Sequence, residues 1–147
     1  MEVPASLAVA TFDKILQRGD IIHFKCTFED DGTTKNKFAV VLNVTLPDDP
    51  ILFALASTAT AAHESPLYAG VLIRVPVGTY TCFSKPTVFS FRKIHKETLD
   101  EMRSQFARKE LTRVGKLLQV HLDQANKMIE NSVLIEGWRR NRCRVPT

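Results

Sequence analysis

The sequence predicts a mainly β protein with C-terminal helices, an α+β fold whose strands form one antiparallel barrel. Short strand-like segments follow one another from residue 20 to residue 94, and no helical pattern separates them. Helical periodicity then extends from residue 97 to residue 130. The chain has 147 residues and is 44% hydrophobic, which is enough for a single domain, 1–147, with a buried core.

The N-terminal segment, 1–17, is predicted to be a helical extension of this domain. Apolar residues within 5–17 suit an amphipathic helix, which ends at the Arg-Gly-Asp sequence that follows. The first strand is predicted over 20–28, because apolar and polar residues alternate there with the period of a half-buried strand. Its apolar positions are Ile22, Phe24, Cys26 and Phe28.

Further strands follow a polar turn at 29–36. The valine-rich segment 37–45 is apolar on both faces, as expected of a central strand. A second buried strand is predicted over 51–58, and a long loop follows it to residue 70. Three short strands complete the predicted barrel, at 71–76, 79–83 and 87–94.

The last third of the chain is predicted to be helical and then basic. Leu99, Met102 and Phe106 lie on one helical face, and a wider apolar stripe continues to Ile129. We expect this stripe to dock on the barrel; the alternative is a helix offered to a partner. The segment 131–147 is predicted to be a basic tail that adds affinity for polyanions. Its arginines are Arg139, Arg140, Arg142 and Arg144.

Charge and cysteine content limit the possible classes of function. Lys and Arg total 20 against 16 acidic residues, a net charge of +4 that suits a polyanionic partner without requiring one. Three cysteines without CxxC spacing argue against a disulfide framework or a zinc site, and we predict no metal and no cofactor. The sequence shows no signal peptide and no long apolar run, so we predict a cytoplasmic protein without a membrane span.

Five segments between residues 18 and 130 carry related motifs. A Gly-Asp pair opens the first strand, the second strand contains AVVL, and the third ends in hydroxyl residues. The segments are RGDIIHFKC, TKNKFAVVLN, ILFALAST, PTVFSFRKIHKETLDEM and RKELTRVGKLLQVHL. In this order and spacing, the chain resembles the MazF/PemK family of toxins. The resemblance implies an SH3-like antiparallel barrel of the MazF/PemK/CcdB type.

The resemblance also implies an activity and partners. Members of that family are homodimeric RNases that cut single-stranded RNA and are silenced by an antitoxin protein. Their reaction needs a base for the ribose 2′-hydroxyl proton, an acid for the leaving oxygen, and cations for the charge on the phosphorane. A homodimer is further predicted from the apolar strands 51–58 and 71–76, which exceed what one small barrel buries easily.

The family's site positions fall on five residues of this chain. The arginine that opens the family's second strand falls at Lys37, and the hydroxyl residue that ends the third falls at Thr58, beside Ser57. A later acidic residue falls at Arg92, and a following arginine falls near His95. The resemblance thus implies Lys37, Thr58 and His95 as catalytic residues. It implies RNA binding by Ser57 and Arg92, to which we add the four arginines of the tail.

The exchanges at these positions leave several functions open. Lysine keeps the positive charge but loses the forked guanidinium that grips phosphate, and Arg92 reverses a charge. Histidine titrates near neutrality, so His95 is the candidate general acid or base, whereas His23 is interpreted as a surface residue. One hypothesis is a metal-independent endoribonuclease. The others are a non-catalytic module that binds nucleic acid or protein, and a phage or mobile-element accessory protein that competes for an antitoxin.

Overall fold

A computed structural model of the protein describes residues 5–28, 30–58, 70–132 and 135–144, with side chains from residue 10 onward. These residues form four helices and six strands. In chain order they are α1 (Ala5–Ile15), β1 (Asp20–Thr27), β2 (Thr34–Val41), β3 (Ile51–Thr58), β4 (Leu72–Val75), β5 (Thr87–Glu97), α2 (Leu99–Ala107), β6 (Thr112–Lys116), α3 (Gln119–Asn131) and α4 (Gly137–Cys143).

All six strands belong to one sheet with the order β4-β5-β3-β2-β1-β6. Each pair of neighbouring strands is antiparallel. The predicted antiparallel, mainly β, α+β architecture is therefore confirmed. Among the described residues β4 and β6 lie at the two edges and do not pair with each other, so closure into a barrel stays a prediction.

The alternation in β1 sorts its side chains between the two faces of the sheet. Ile22, Phe24 and Cys26 are buried in one apolar cluster, whereas Ile21 belongs to another. We call the side of Ile21 the first face and the side of Ile22 the second face. A turn with Gly32 at φ 71° joins β1 to β2, and the Thr33 amide donates to Asp31 Oδ1 there.

A different set of helices covers each face of the sheet. On the first face, buried residues of α3 and α4 pack with the core; they include Ala125, Ile129 and Cys143. On the second face, Phe12 of α1 and Met102 of α2 pack with the core. Burial of these apolar side chains supplies the main stabilisation of the fold. α1 and α2 form as predicted, and Thr98 caps α2 by accepting a hydrogen bond from the Glu101 amide.

The helical periodicity predicted from 97 to 130 is wrong for its middle part, because a strand separates two helices there. β5 continues to Glu97, α2 ends at Ala107, and β6 then pairs with β1. Lys109 turns the chain with a φ of 62°. The carbonyl of Gln105 accepts hydrogen bonds from the amides of Glu110 and Leu111. Leu111 and Leu117, which fitted a helical stripe, are buried at the two ends of this strand instead.

The strand predicted over 79–83 is also wrong, since this segment is a loop whose aromatic residues turn inward. Tyr80 and Phe83 are buried on the first face. The Tyr80 hydroxyl accepts the Leu118 amide at 2.9 Å and lies 2.6 Å from His121 Nδ1. Burial lowers the pKa of His121, which favours a neutral imidazole whose Nδ1 can accept a hydrogen bond from the Tyr80 hydroxyl. These bonds attach the loop to the start of α3.

The segment predicted to be a basic tail contains α4, and its arginines bond to the rest of the fold; Arg144, which directly follows the helix, is counted with the arginines of α4 here and below. Arg139 is 5% exposed and donates to the carbonyl of Ile94. Arg140 donates to three carbonyls at the end of α3 and just after it, those of Ile129, Ser132 and Ile135. The other two form ion pairs, Arg142 with Asp48 at 2.7 Å and Arg144 with Glu130 at 2.8 Å. The segment up to Arg144 is therefore not a solvated tail.

Two further expectations concern the outer surface. No helix in the described part of the chain is long and apolar enough to cross a membrane. The apolar side chains of strands β3 and β4, on which we based a homodimer, are mostly buried within the single chain. Homodimerisation therefore stays a prediction from the resemblance alone.

Candidate functional site

One cavity of about 410 Å³ lies where β2, β3 and β5 meet on the second face. We call it the basic cavity. Its polar wall consists of Lys37, Ser57, Ser90, Arg92, Lys93 and His95, with Asp30 at the rim. Of the five residues to which the resemblance assigned a role, four therefore lie around one space.

The pairing of the strands explains how residues so distant in sequence meet. Lys37 lies opposite Phe24 of β1, which places it on the second face. Leu55 pairs with Ser90, and Phe53 pairs with His95, so two steps along β3 correspond to five along β5. Such an irregularity bends a strand and redirects its side chains. Arg92 and Lys93 lie within this irregular segment and contribute to the cavity wall.

His95 is held by aromatic rings. Its imidazole stacks on Phe53 with centroids 5.8 Å apart and an angle of 16° between the planes. Phe28 approaches edge-on, with its centroid 6.0 Å away. His95 lies in β5 and not at a helix start, because the strand continues two residues beyond it. This packing fixes the plane of the half-buried ring.

The charges around the basic cavity favour an anion. Lys37 is half-buried, Arg92 is exposed, and both contribute positive charge. Lys93 forms an ion pair with Asp30 at 3.2 Å, in which the carboxylate is largely exposed. Basic side chains together with the Ser57 and Ser90 hydroxyls provide the donors that a phosphate oxygen accepts.

A second cavity of about 260 Å³ adjoins the first. We call it the aromatic cavity, because Phe38 and Phe83 line it together with His23. Lys37 and Ser57 contribute to both cavities. The other residues of its wall are Asn36, Ala56, Thr58, Cys82, Ser84, Lys85 and Thr87.

Thr58 is the last residue of β3. It follows Ser57 in an extended strand, so the two side chains point to opposite faces of the sheet. Thr58 lines the aromatic cavity and does not line the cavity of His95 and Arg92. The catalytic role of Thr58 therefore stays a prediction, and Ser57 is the hydroxyl residue that shares a cavity with His95.

None of the α4 arginines lines either cavity. The buried guanidinium of Arg139 is out of reach of a phosphate, so we remove Arg139 from the predicted RNA-binding set. Contact of RNA with Arg140, Arg142 and Arg144 stays a prediction. Among the residues that the structure describes, no group of three or more His, Cys, Asp or Glu side chains is placed to hold a metal ion.

The sequence offered only weak signals for the residues that we missed. Ser90 is a polar residue in a buried strand, two positions before Arg92, and alternation places both on one face. Phe38 has no such signal, because an aromatic residue in a strand is expected in the core. Its place at a cavity wall depends on the end of the sheet, which the local pattern does not reveal.

No protein-family model matches the sequence, and no curated protein matches it either. The resemblance to the MazF/PemK family therefore stays a prediction that depends on the motifs.

Proposed function

We propose that the protein is a toxin-like endoribonuclease that cleaves single-stranded RNA at the basic cavity without a metal ion. The observation that carries this proposal is the meeting of Lys37, Ser57 and His95, from three adjacent strands, around one cavity. The proposal includes the SH3-like barrel, with which the antiparallel sheet is compatible. From the resemblance it also includes a homodimer, a neutralising antitoxin and a cytoplasmic location.

Each of these residues has a part in the cleavage reaction. The ribose 2′-oxygen attacks phosphorus and loses its proton, while the bond from phosphorus to the 5′-oxygen breaks and that oxygen gains a proton. The product is a 2′,3′-cyclic phosphate. Lys37 and Arg92 stabilise the charge that builds up on the phosphorane, and Ser57 donates to a phosphate oxygen. His95 carries one of the two proton transfers, and solvent water carries the other.

A second candidate is an RNA-binding module that does not cleave. It is favoured because, among the described residues of the basic cavity, His95 is the one side chain that ordinarily titrates near neutrality, whereas cleavage moves two protons. In that case Lys37 and Arg92 hold phosphate, and the RNA stays intact. The accessory protein that competes for an antitoxin is a special form of this alternative, and no interaction within the described residues favours it.

Incubation of the purified protein with long single-stranded RNA in excess EDTA tests the proposal. We expect cuts that end in a 2′,3′-cyclic phosphate. Lys37→Ala should lower the rate by about 10²–10³, because one donor to the developing charge is removed. The matched control is Lys35→Ala, which removes an exposed lysine of the same strand that lines neither cavity.

Lys37→Arg adds a sharper comparison. A guanidinium keeps the charge and restores the two-pronged contact with phosphate, so this variant should equal or exceed the wild-type rate. Cleavage that survives Lys37→Ala undiminished would place the chemistry elsewhere. If neither the wild type nor Lys37→Arg cuts RNA that they bind, the binding module replaces the nuclease.

A further inference from the structure

The aromatic cavity has a chemical character unlike that of its neighbour. The ring of His23 lies 4.6 Å from that of Phe38, and Phe83 meets Phe38 edge-on at 5.2 Å. Between these rings and the strand ends, the wall carries the amide of Asn36 and the hydroxyls of Ser84 and Thr58. Among the described residues, no carboxylate lines this cavity.

These groups select a class of ligand. Aromatic walls favour a flat ring, since every nucleobase has a π-face that stacks on aromatic side chains. An amide such as Asn36 both donates and accepts hydrogen bonds, which matches the edge of a base. The volume of about 260 Å³ suits one base with part of its sugar rather than a longer segment.

The wall that the two cavities share determines which nucleotide of the RNA could place its base in the aromatic cavity. Lys37 and Ser57 line both cavities, so a phosphate bound at Lys37 would lie next to the aromatic cavity. Lys85 supplies a second cation on the aromatic side. A nucleotide joined to that phosphate can therefore place its base among Phe38, Phe83 and Asn36.

We propose that the aromatic cavity binds one unpaired nucleobase of the RNA, that of a nucleotide directly bonded to the phosphate at Lys37. The inference depends on the proposed function for the identity of the ligand, but it does not depend on cleavage. Phe38 supplies a stacking surface, and Asn36 reads the edge of the base. The cavity thereby gives the protein a base preference at one position of its RNA.

Binding of short oligonucleotides separates this proposal from the cleavage reaction. The probes are 2′-fluoro RNA heptamers, which lack the attacking hydroxyl, with each of the four bases or an abasic site at the central position. Fluorescence anisotropy gives the dissociation constants. We expect the wild type to prefer at least one base over the abasic probe by about 5-fold or more, the lower end of a stacking contribution.

Two variants assign this preference to the cavity. Phe38→Leu keeps an apolar side chain but removes the ring, and it should reduce the preference over the abasic probe to less than about 2-fold, since the stacking contribution is removed. Asn36→Ala alters an exposed residue, so the fold should survive, and the ranking of the four bases should change. Lys37→Ala should instead weaken all probes alike, the abasic one included. Unfolding curves for each variant confirm that the fold is intact.

The reactivity of Cys82 provides a direct measure of whether the aromatic cavity is occupied. It lines the aromatic cavity and is partly exposed, whereas Cys26 and Cys143 are each 1% exposed. Burial raises the pKa of the Cys82 thiol, so alkylation is followed at mildly alkaline pH. The base-carrying heptamer should lower the rate of Cys82 alkylation in proportion to the fraction of protein that is bound. The abasic heptamer, at the same bound fraction, should leave that rate unchanged.

The outcomes distinguish the two proposals. Base preference that disappears in Phe38→Leu, with protection of Cys82, supports the base-binding cavity even if no RNA is ever cut. If the wild type cuts RNA, but abasic and base-carrying probes bind alike and leave Cys82 equally reactive, the cavity proposal is overturned and the nuclease remains. A wild-type protein that binds none of the heptamers overturns the cavity proposal, and if it also leaves long single-stranded RNA uncut, it overturns both.

Discussion

The arginines of α4 and the cations of the basic cavity lie in different surroundings. Arg139 and Arg140 donate to backbone carbonyls, and Arg142 and Arg144 pair with carboxylates. In the basic cavity, Lys37, Arg92 and Lys93 come from two strands and share one space with a single rim carboxylate among the described residues. The densest run of positive charge in the sequence therefore stabilises the fold, whereas scattered cations form the candidate site.

This difference predicts a separation of effects. Changes in the basic cavity should alter the reaction with RNA and leave the free energy of unfolding nearly unchanged, because its cations lie at a surface where their solvation is retained. Changes in α4 should lower the free energy of unfolding and leave the reaction with RNA nearly unchanged, since the Ile94 carbonyl that buried Arg139 satisfies would lose its partner. If variants of one set altered both the reaction with RNA and the free energy of unfolding, the two sets of cations would not have separate roles.

The largest effect is expected for His95→Gln. Glutamine keeps a polar side chain but cannot exchange a proton near neutrality, so the cleavage rate should fall by about 10²–10⁴. The remaining rate should lose its pH dependence between about pH 5 and 8, where histidine ordinarily titrates. Binding of 2′-fluoro RNA should stay within about 2-fold of the wild type, because the proposed phosphate ligands Lys37 and Arg92 are unaltered.

A pH profile measured on the wild type and on His95→Gln checks this expectation. A rate that rises with pH in the wild type makes the imidazole the base, and a rate that falls makes it the acid. If both proteins show the same profile, His95 carries no proton in the reaction.

Local patterns predicted the elements of the sheet that alternate clearly. β1 follows from the alternation of Ile22, Phe24 and Cys26, whose side chains reach the second face as that period requires. β6 was missed because Leu111 and Leu117 satisfy helical spacing equally well, and only pairing with β1 decides between the two structures. Pairing between distant segments is not encoded in a short window of sequence.

The candidate site was predicted in part, and the errors have a physical cause. Motif positions indicated Lys37, Ser57, Arg92 and His95, which do line one cavity. These motif positions could not distinguish Ser57 from Thr58, because a shift of one residue along a strand moves a side chain to the opposite face of the sheet. The charge of 139–144 suggested a nucleic-acid surface, since a sequence does not show which arginines have partners within the fold.

Arg139→Met should have an intermediate effect, and on stability alone. Methionine keeps much of the apolar stem but leaves the Ile94 carbonyl without the guanidinium, at a cost of about 1–3 kcal/mol in the free energy of unfolding. Urea denaturation measures this loss. Arg142→Met is the matched control, because it breaks a more exposed ion pair with Asp48 and should cost less than about 1 kcal/mol. Equal losses in the two variants would contradict the anchoring role of Arg139.

The smallest effect concerns Arg144 and decides whether α4 also binds RNA. The logarithm of the binding constant for single-stranded RNA falls with the logarithm of salt concentration, with a slope of about 0.7 per neutralised phosphate. Arg144 already pairs with Glu130, so Arg144→Ala should change this slope by less than half of that amount. Lys37→Ala should change the slope by about the full amount for one phosphate.

Glu130→Gln makes this last test specific, because it releases Arg144 from its carboxylate without altering the arginine. If α4 lies within reach of the RNA, the released guanidinium should steepen the salt dependence, by up to about 0.7 in slope. If α4 lies out of reach, Glu130→Gln and Arg144→Ala should both leave the slope at the wild-type value. A slope that becomes shallower by about 0.7 in Arg144→Ala would instead show that this arginine leaves Glu130 for a phosphate, as its position in the sequence first suggested. The arginines of α4 and the cations of the basic cavity would then act together on the same RNA.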